Sequence, residues 1–144
     1  MTILDTNVLS ELMRSQPSPS VVNWVASQPA DELCATSITE AEIFYGIELL
    51  PRGKRRDRLF LLAEGLFGED LKGRVIGFEG GFESDAARVF GKISAARRGL
   101  GRPISHADAQ IAAIARTQRA RLATRDVADF EDCGIELVDP WESA

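Results

Sequence analysis

Histidine, cysteine and long apolar runs are scarce in this sequence, and each shortage excludes a class of protein. The only histidine, His106, excludes catalysis by a histidine pair. Cys34 and Cys133 lie far apart with no CxxC pair, which predicts reduced thiols rather than a disulfide or a zinc site. No apolar run is long enough to span a membrane, and the first residues form no basic leader, so we expect a soluble, cytoplasmic protein.

The composition that remains is that of one ordinary globular domain. Of the 144 residues, 44% are hydrophobic and 27% are charged, and a chain of this size buries a core without disulfides. No phosphate-binding loop of the form GxxxxGK[ST] is present, which excludes the usual nucleotide hydrolases. We therefore predict a single domain over residues 1–144.

The basic residues are mostly arginines, and they are unevenly distributed. The formal net charge of −5 argues against a protein that coats nucleic acid by bulk electrostatics. The arginines nevertheless gather within residues 52–58, 97–102 and 116–125, and a planar guanidinium suits phosphate contact. A solvated helix surface is the alternative explanation for each one. The candidate contacts to nucleic-acid phosphates are Arg55, Arg56, Arg97 and Arg98.

Apolar periodicity and capping residues predict strands that alternate with helices. Strands are predicted at residues 3–4, 33–35, 74–78, 121–124 and 135–138. Helices are predicted at residues 7–13, 20–25, 37–50, 54–66, 84–93 and 105–119, with a short turn at 127–131. Ser20, Ser84 and Ser105 are the expected caps of three of these helices. This alternation predicts an α/β fold with a central, mostly parallel, five-stranded sheet.

Two acids directly follow predicted strands. Asp5 comes after the first strand and Asp126 after the fourth, and open α/β sheets bind ligands beyond the carboxyl ends of their strands. Each acid also has a structural explanation, because Asp is favoured at helix caps and in turns. The position after a strand makes both of them candidates for a site at one edge of the sheet.

Glu42 is placed by helical periodicity among apolar residues. At 100° per residue it falls between Ile38, Tyr45 and Leu49, within the stripe that we expect to face the core. A charge at such a position needs a partner or a metal ion. The alternative is a capping box with Thr39, which would satisfy the carboxylate locally.

Asp108 shows the same pattern on the predicted helix near the end of the chain. It shares a helix face with Ile104, Ile111 and Ala112, and its alternative role is capping together with Ser105. Several carboxylates at one site stay ionised only with positive charge between them. Oxygen ligands favour Mg²⁺ or Mn²⁺, and such ions promote hydrolysis of phosphodiesters.

Short segments in the same order resemble the PIN-domain ribonucleases, specifically the VapC toxins of toxin–antitoxin pairs. The segments are residues 3–11 (ILDTNVLSE), 37–46 (SITEAEIFYG), 101–105 (GRPIS) with 107–113 (ADAQIAA), 122–126 (LATRD), and the pairs at 129–130, 134–135 and 140–141. The likeness spans nearly the whole chain. Residues 77–83 depart from it, being longer and richer in glycine than expected.

The resemblance assigns roles to individual residues of this chain. It implies that Asp5, Glu42 and Asp108 hold Mg²⁺, with Mn²⁺ as a substitute, and that Asp126 is a fourth ligand at a position where the family carries Asp or Asn. Thr6 and Asn7 are the supporting hydroxyl and amide beside the first acid. The implied fold is a Rossmann-like α/β/α sandwich.

The resemblance also implies partners and an activity. The expected activity is a metal-dependent endoribonuclease toxin that cuts structured RNA and inhibits translation and growth. The expected assembly is a homodimer, which a cognate VapB-like antitoxin joins in a higher assembly while its tail blocks the active site.

Two other functions compete with a nuclease. The first is a phosphatase or phosphotransferase with Asp5 as the nucleophile, which resembles the haloacid dehalogenases, although those proteins require a second aspartate where this chain has Asn7. The second is a non-catalytic module of the same fold that binds RNA or a protein partner. The complete set of acids speaks against the binding module, but the sequence does not show that these acids converge.

Overall fold

The sheet is parallel throughout and places the first strand at its centre. A computed structural model describes residues 1–78 and 85–142. Within these residues five strands pair in parallel in the order β3-β2-β1-β4-β5. The strands are β1 (Thr2–Leu4), β2 (Leu33–Thr36), β3 (Val75–Ile76), β4 (Arg121–Ala123) and β5 (Leu137–Val138). The predicted α/β class and five-stranded sheet are confirmed, and the third and fifth strands are shorter than expected.

Six α-helices connect the strands in the described part of the chain. They are α1 (Thr6–Leu12), α2 (Pro19–Ser27), α3 (Ser37–Glu48), α4 (Lys54–Gly65), α5 (Asp85–Gly99) and α6 (His106–Thr117). A π-helical turn follows α4 at Leu66–Asp70, and a 3₁₀ turn at Val127–Phe130 lies between β4 and β5. No helix of residues 1–78 and 85–142 is both long and apolar enough to cross a bilayer.

The core consists of two apolar layers, one on each face of the sheet. Alternate residues of β1 point to opposite faces, so that Leu4 packs with α1 to α4 and Ile3 packs with α5 and α6. Both side chains are almost completely buried. A parallel sheet needs helices on both faces, and the α/β/α sandwich expected from the sequence is confirmed.

Of the predicted helix caps, Ser20 is wrong and Ser105 is confirmed. Helix α2 begins at Pro19 after Ser18, because proline is well suited to the first helical position, and the Ser20 hydroxyl instead donates to backbone carbonyls near the end of the chain. Ser105 caps α6 as expected. The predicted cap Ser84 and most of the glycine-rich stretch at 77–83 lie outside the described residues.

Helix α3 is also capped one residue earlier than expected. The Thr36 hydroxyl accepts a hydrogen bond from the Thr39 amide at 3.1 Å, so the capping box of Thr39 with Glu42 does not form. Thr36 is the last residue of β2, and the chain passes from strand to helix without a loop. This tight connection places the first turn of α3 directly over the carboxyl edge of the sheet.

Candidate active site

Asp5 is the buried acid at the centre of the carboxyl edge. It lies between β1 and α1, is 4% exposed, and caps α1 by accepting from the Thr6 amide at 2.8 Å. Burial raises the pKa of Asp5 from 3.8 to about 6, the hydrogen bonds from Thr124 and Thr6 oppose the rise, and Asp108 and Glu42 add to it. Asp5 therefore combines the predicted capping role with a position among other acids.

A buried hydroxyl fixes the second oxygen of Asp5. Thr124 follows β4 directly and is fully buried, and its hydroxyl donates to Oδ2 of Asp5 at 2.7 Å. The same oxygen of Thr124 accepts from the Asp126 amide at 3.0 Å. A hydroxyl can donate one hydrogen bond and accept another. Thr124 therefore connects Asp5 to the turn that carries Asp126.

Asn7 bridges two of the acids through its side-chain amide. Its Nδ2 donates to Oδ2 of Asp126 at 3.0 Å and lies 3.3 Å from Oδ2 of Asp5. Its Oδ1 accepts from the Arg125 amide at 3.3 Å. The exposed Asp126 is thereby held beside the buried Asp5.

Glu42 is brought to the site by a pair of threonines. The Thr6 hydroxyl donates to Oε1 of Glu42 at 2.8 Å and lies 3.0 Å from the Thr39 hydroxyl. Because Thr6 has a single hydroxyl proton and gives it to the carboxylate, Thr39 is the donor in the second bond. This chain of hydroxyls connects α3 to α1 and directs Glu42 toward the edge where Asp5 lies.

The sequence-based reason for selecting Glu42 is wrong, although the residue is at the site. The stripe expected to face the core is largely exposed, because Tyr45 and Leu49 are 66% and 67% exposed. The buried face of α3 is formed by Thr39, Ile43 and Ile47. Glu42 is itself exposed and points along the carboxyl edge.

Asp108 lies in the first turn of α6, half-buried, on the other side of Asp5. Its amide donates to the Ser105 hydroxyl at 3.2 Å, so the expected capping contact is present. Burial raises the pKa of Asp108, the Ser105 hydrogen bond opposes this, and the charges of Asp129, Glu42 and Asp126 raise it further. Its ionised form is therefore destabilised by acids from two other parts of the chain, helix α3 and the turn after β4.

The acids share one edge of the sheet without closing on a common point. Among residues 1–78 and 85–142, no three acidic, histidine or cysteine side chains form a ready-made metal site. Hydroxyl and amide donors instead hold the carboxylates individually, so that like charges occupy one region without a cation between them.

A cavity of about 530 Å³ adjoins the acids between α1, α3 and α4. Thr6 and Glu42 form its border with the acidic edge. Its floor includes aliphatic side chains such as Met13, Ile47 and Leu59, and arginines of α4 and of the turn after α1 line it as well. These arginines are Arg14, Arg55 and Arg58.

The four predicted phosphate-binding arginines have different environments. Arg55 and Arg98 are exposed, and Arg55 lines the cavity beside Glu42. Arg56 forms an ion pair with Glu48. Arg97 is only 4% exposed, and its guanidinium donates to backbone carbonyls, so the prediction that it contacts phosphate is wrong.

Sequence reasoning missed two threonines whose hydroxyls form hydrogen bonds to other side chains of the site. Thr124 and Thr39 are neutral hydroxyls, and neither periodicity nor charge distinguishes a functional threonine from a strand or cap residue. The signal available in the sequence was that Thr124 lies at the carboxyl end of the fourth predicted strand. His106 is exposed, and the two cysteines are buried and form no disulfide.

Comparison with known proteins identifies one family over most of the chain. The family model for the PIN domain matches residues 2–134. The chain is 38% identical over 144 residues to a VapC ribonuclease, Y4jK, of Sinorhizobium fredii, covering 100% of both chains. It is 33% identical to toxin FitB of Neisseria gonorrhoeae, over 98% of this chain and 99% of the relative.

A solved structure agrees with the likeness in sequence. The structure of FitAB bound to an IR36 DNA fragment contains a chain with a TM-score of 0.90 and 32% identity, and the match covers 100% of this chain and 98% of that one. Similarity of this extent includes every element that carries an acid.

The raised pKa of Asp5 predicts how stability depends on pH. Between pH 3.8 and about pH 6, the Asp5 carboxyl keeps its proton in the folded chain but has lost it in the unfolded chain. The free energy of unfolding of the wild type therefore falls as the pH rises through this range. Relative to wild type, Asp5→Asn should gain about 3 kcal/mol in free energy of unfolding between about pH 4 and pH 7. Urea unfolding with EDTA measures this difference. Asp5→Ala also lacks the carboxyl and should show the same pH dependence, whereas a difference that does not vary with pH would contradict the raised pKa.

The hydroxyl of Thr124 should influence the titration of Asp5 directly. Thr124→Val keeps the size of the side chain but removes the donor that lowers this pKa, so the pKa of Asp5 should rise above about 6. Carbon NMR of the carboxyl group measures the titration. Thr124→Ser retains the hydroxyl and should behave like wild type, and an unchanged pKa in the Val variant would remove Thr124 from the site.

Proposed function

Because this chain belongs to the PIN-domain family, we propose that it is a divalent-metal-dependent endoribonuclease and the toxin of a toxin–antitoxin pair. The observation that carries the proposal is the set of acids around Asp5, in which Asp5 and Asp108 each have a raised pKa to which other carboxylates contribute. Perturbed acids gathered at the carboxyl edge of a parallel sheet are typical of a catalytic site. The names of the relatives agree with a ribonuclease.

The donor set suits a hard divalent ion. Asp5, Glu42 and Asp108 are the proposed ligands and Asp126 the fourth, and all of them offer oxygen, which Mg²⁺ and Mn²⁺ prefer. No preformed cluster exists in the described residues, so the carboxylates would have to draw together as an ion neutralises their repulsion. Such an ion supplies positive charge that activates a water molecule and stabilises the leaving oxygen of a phosphodiester.

The side chains around the acids hold them for this chemistry. Thr124 and the Thr6 amide orient the two oxygens of Asp5. The Thr6 hydroxyl orients Glu42, and Asn7 holds Asp126 close to Asp5. These contacts orient the carboxylates of Asp5, Glu42 and Asp126 before an ion draws them together, which lowers the cost of organising the site.

The RNA contacts are best placed on the exposed arginines near the acids. Arg55 lines the cavity that borders Glu42, and Arg14 and Arg58 lie within the same cavity. Arg98 is exposed as well. Since the whole chain is negatively charged, local arginines rather than net charge would attract the RNA backbone.

The same cavity suits the tail of an antitoxin. Its aliphatic floor offers apolar burial, its arginines offer partners for acidic side chains, and its border includes Thr6 and Glu42. A peptide bound there would cover the path to the acids. The relative named a toxin and the neighbour solved as FitAB agree with a protein partner that controls the enzyme.

Self-association and location complete the proposal. The exposed apolar residues Tyr45 and Leu49 on α3 and Leu61 on α4 offer a surface for a second copy of this chain. A homodimer that binds an antitoxin would form the higher assembly. We place the protein in the cytoplasm, where buried free thiols such as Cys34 and Cys133 stay reduced.

The phosphatase alternative loses support from the position of Asn7. A second acid two residues after Asp5 would be needed to donate a proton, but the Asn7 amide is engaged with Asp5, Thr124 and Asp126. A non-catalytic binding module remains the alternative that an assay of cleavage decides.

Cleavage of total cellular RNA by antitoxin-free protein tests the proposal. We expect discrete fragments with Mg²⁺ or Mn²⁺ and none with EDTA, because the acids need a cation to act. Asp5→Asn and Asp108→Asn should abolish cleavage, whereas Asp31→Asn, an exposed acid before β2 at the opposite edge of the sheet, should cleave like wild type. Full activity in Asp5→Asn would contradict the assignment, and no cleavage with any metal would favour a binding module.

The salt dependence of RNA binding tests the role of Arg55. The measurement uses the Asp5→Asn variant, which should bind RNA without cleaving it. In this variant, the additional change Arg55→Gln should weaken RNA binding and reduce the slope of log affinity against log salt concentration by about 0.7. This is the value for one phosphate contact to single-stranded RNA. Arg119→Gln is the matched control, because it removes the same charge at the exposed end of α6, away from the acids. If both variants weaken RNA binding equally, the loss of net charge explains the effect and the assigned role of Arg55 is contradicted.

A further inference from the structure

Arg97 is the one strongly buried cation in the described residues, and no acid pairs with it. It lies in the last turn of α5 and is 4% exposed. The ion pairs of the described chain involve Arg14, Arg56 and Arg102 instead. A buried charge is tolerated only when hydrogen bonds replace its water, so the positions of its acceptors indicate what this arginine holds.

Most of these acceptors belong to the turn that follows Asp126. Nη1 of Arg97 donates to the carbonyl oxygens of Asp129 at 2.6 Å and Glu131 at 3.0 Å, and lies 3.7 Å from the Cys133 sulfur. Nε donates to the carbonyl of Arg102 at 2.8 Å. A single guanidinium therefore binds two carbonyls of the turn and one carbonyl of the segment that follows its own helix.

Arg102 strengthens the same connection from the surface. Its guanidinium donates to the Ala128 carbonyl at 3.1 Å and pairs with the carboxylates of Glu131 and Asp132, both at 3.0 Å. The position of Arg102 is fixed by the end of α5, where its amide donates to the Arg97 carbonyl at 2.9 Å and Gly101 has a φ of +73°. The two arginines thus form a clamp between α5 and residues 128–132.

The clamped turn carries acids of the site. Asp126 precedes it and bonds to Asn7, and Asp129 within it is the acid whose charge acts most on Asp108. The Asp129 amide in turn donates to the Asp126 carbonyl at 3.0 Å. Moving this turn would change the distances from Asp126 and Asp129 to Asp108.

We propose that Arg97 is a positioning residue of the active site, which holds the turn from Asp126 to Glu131 through its backbone carbonyls and so fixes the two acids on that turn. The role of Asp126 as a ligand rests on the proposed function, but the holding of the turn does not. The buried side chains of Phe130 and Cys133 anchor the far side of the turn in the core. Asn7 and Thr124 hold Asp126 at its start, which leaves the backbone around Asp129 dependent on the clamp.

Hydrogen exchange of the metal-free protein tests the clamp without reference to nuclease activity. In Arg97→Met, the amides of residues 126–132 should exchange about tenfold faster while those of β1 and α6 stay protected, because the turn opens locally. Arg88→Met is the matched control, since it removes an exposed arginine from the same helix. Unchanged exchange in the turn would overturn the proposal, and so would a uniform increase across the whole chain.

Manganese binding and kinetics test whether the clamp serves the site. Electron paramagnetic resonance of free Mn²⁺ measures the Kd for this ion. In the Arg97→Met variant this Kd should rise about tenfold, as occurs when a group that supports metal ligands is lost. The kcat for RNA cleavage should fall while KM changes little, because Arg97 is buried away from the substrate. An unchanged Kd and kcat alongside faster exchange would limit Arg97 to a structural role and overturn its positioning role.

Arg97→Lys keeps the test decisive if the Met variant does not fold. Lysine retains the charge but lacks the planar fork, so it cannot bind the Asp129, Glu131 and Arg102 carbonyls together. It should give intermediate exchange rates and an intermediate Kd for Mn²⁺, and wild-type values would overturn the proposal. If the wild type itself binds no Mn²⁺, the metal-dependent function fails, and hydrogen exchange still decides whether Arg97 holds the turn.

Discussion

The burial of the Asp5 carboxylate is the constraint on which the rest of the site depends. A nearly solvent-free acid with other acids nearby is stable only if donors surround it. The sheet provides them, because β1 lies between β2 and β4 and its carboxyl end is flanked by the chain that follows each neighbour. Thr124, after β4, donates to Asp5, and Thr36, at the end of β2, starts the helix that delivers Glu42. The strand order is thus the direct cause of the convergence.

Two kinds of support hold the remaining acids on either side of Asp5. On one side, hydroxyls and an amide act at short range, as between Thr6 and Glu42. On the other side, the turn after Asp126 is a short 3₁₀ turn, and Arg97 of α5 and Arg102 beyond its end satisfy carbonyls of the turn. Neutral donors orient the carboxylates without cancelling their charge. The site therefore keeps its attraction for a cation, which a direct ion pair with arginine would weaken.

The sequence predicted those features that follow from position along the chain. Asp5 and Asp126 follow strands, and residues that follow parallel strands meet at one edge, so their convergence was predictable. Glu42 was selected for a wrong reason, because helical periodicity cannot show which of two apolar stripes faces the core when residues such as Tyr45 and Leu49 are exposed. Arg97 was assigned to the surface, since a charge pattern carries no information about burial when the acceptors are backbone carbonyls.

The balance of charge explains why the environments of the predicted phosphate-binding arginines matter for the proposed function. With a formal charge of −5 and an acidic site, the chain repels RNA except where free arginines lie. Arg56 is paired with Glu48 and Arg97 is buried, which leaves Arg55 near the cavity as a cation close to the acids. A bound divalent ion would reduce the same repulsion from within the site. In the proposed nuclease, the approach of RNA and the binding of a metal ion would therefore be coupled, since each would lower the electrostatic cost of the other.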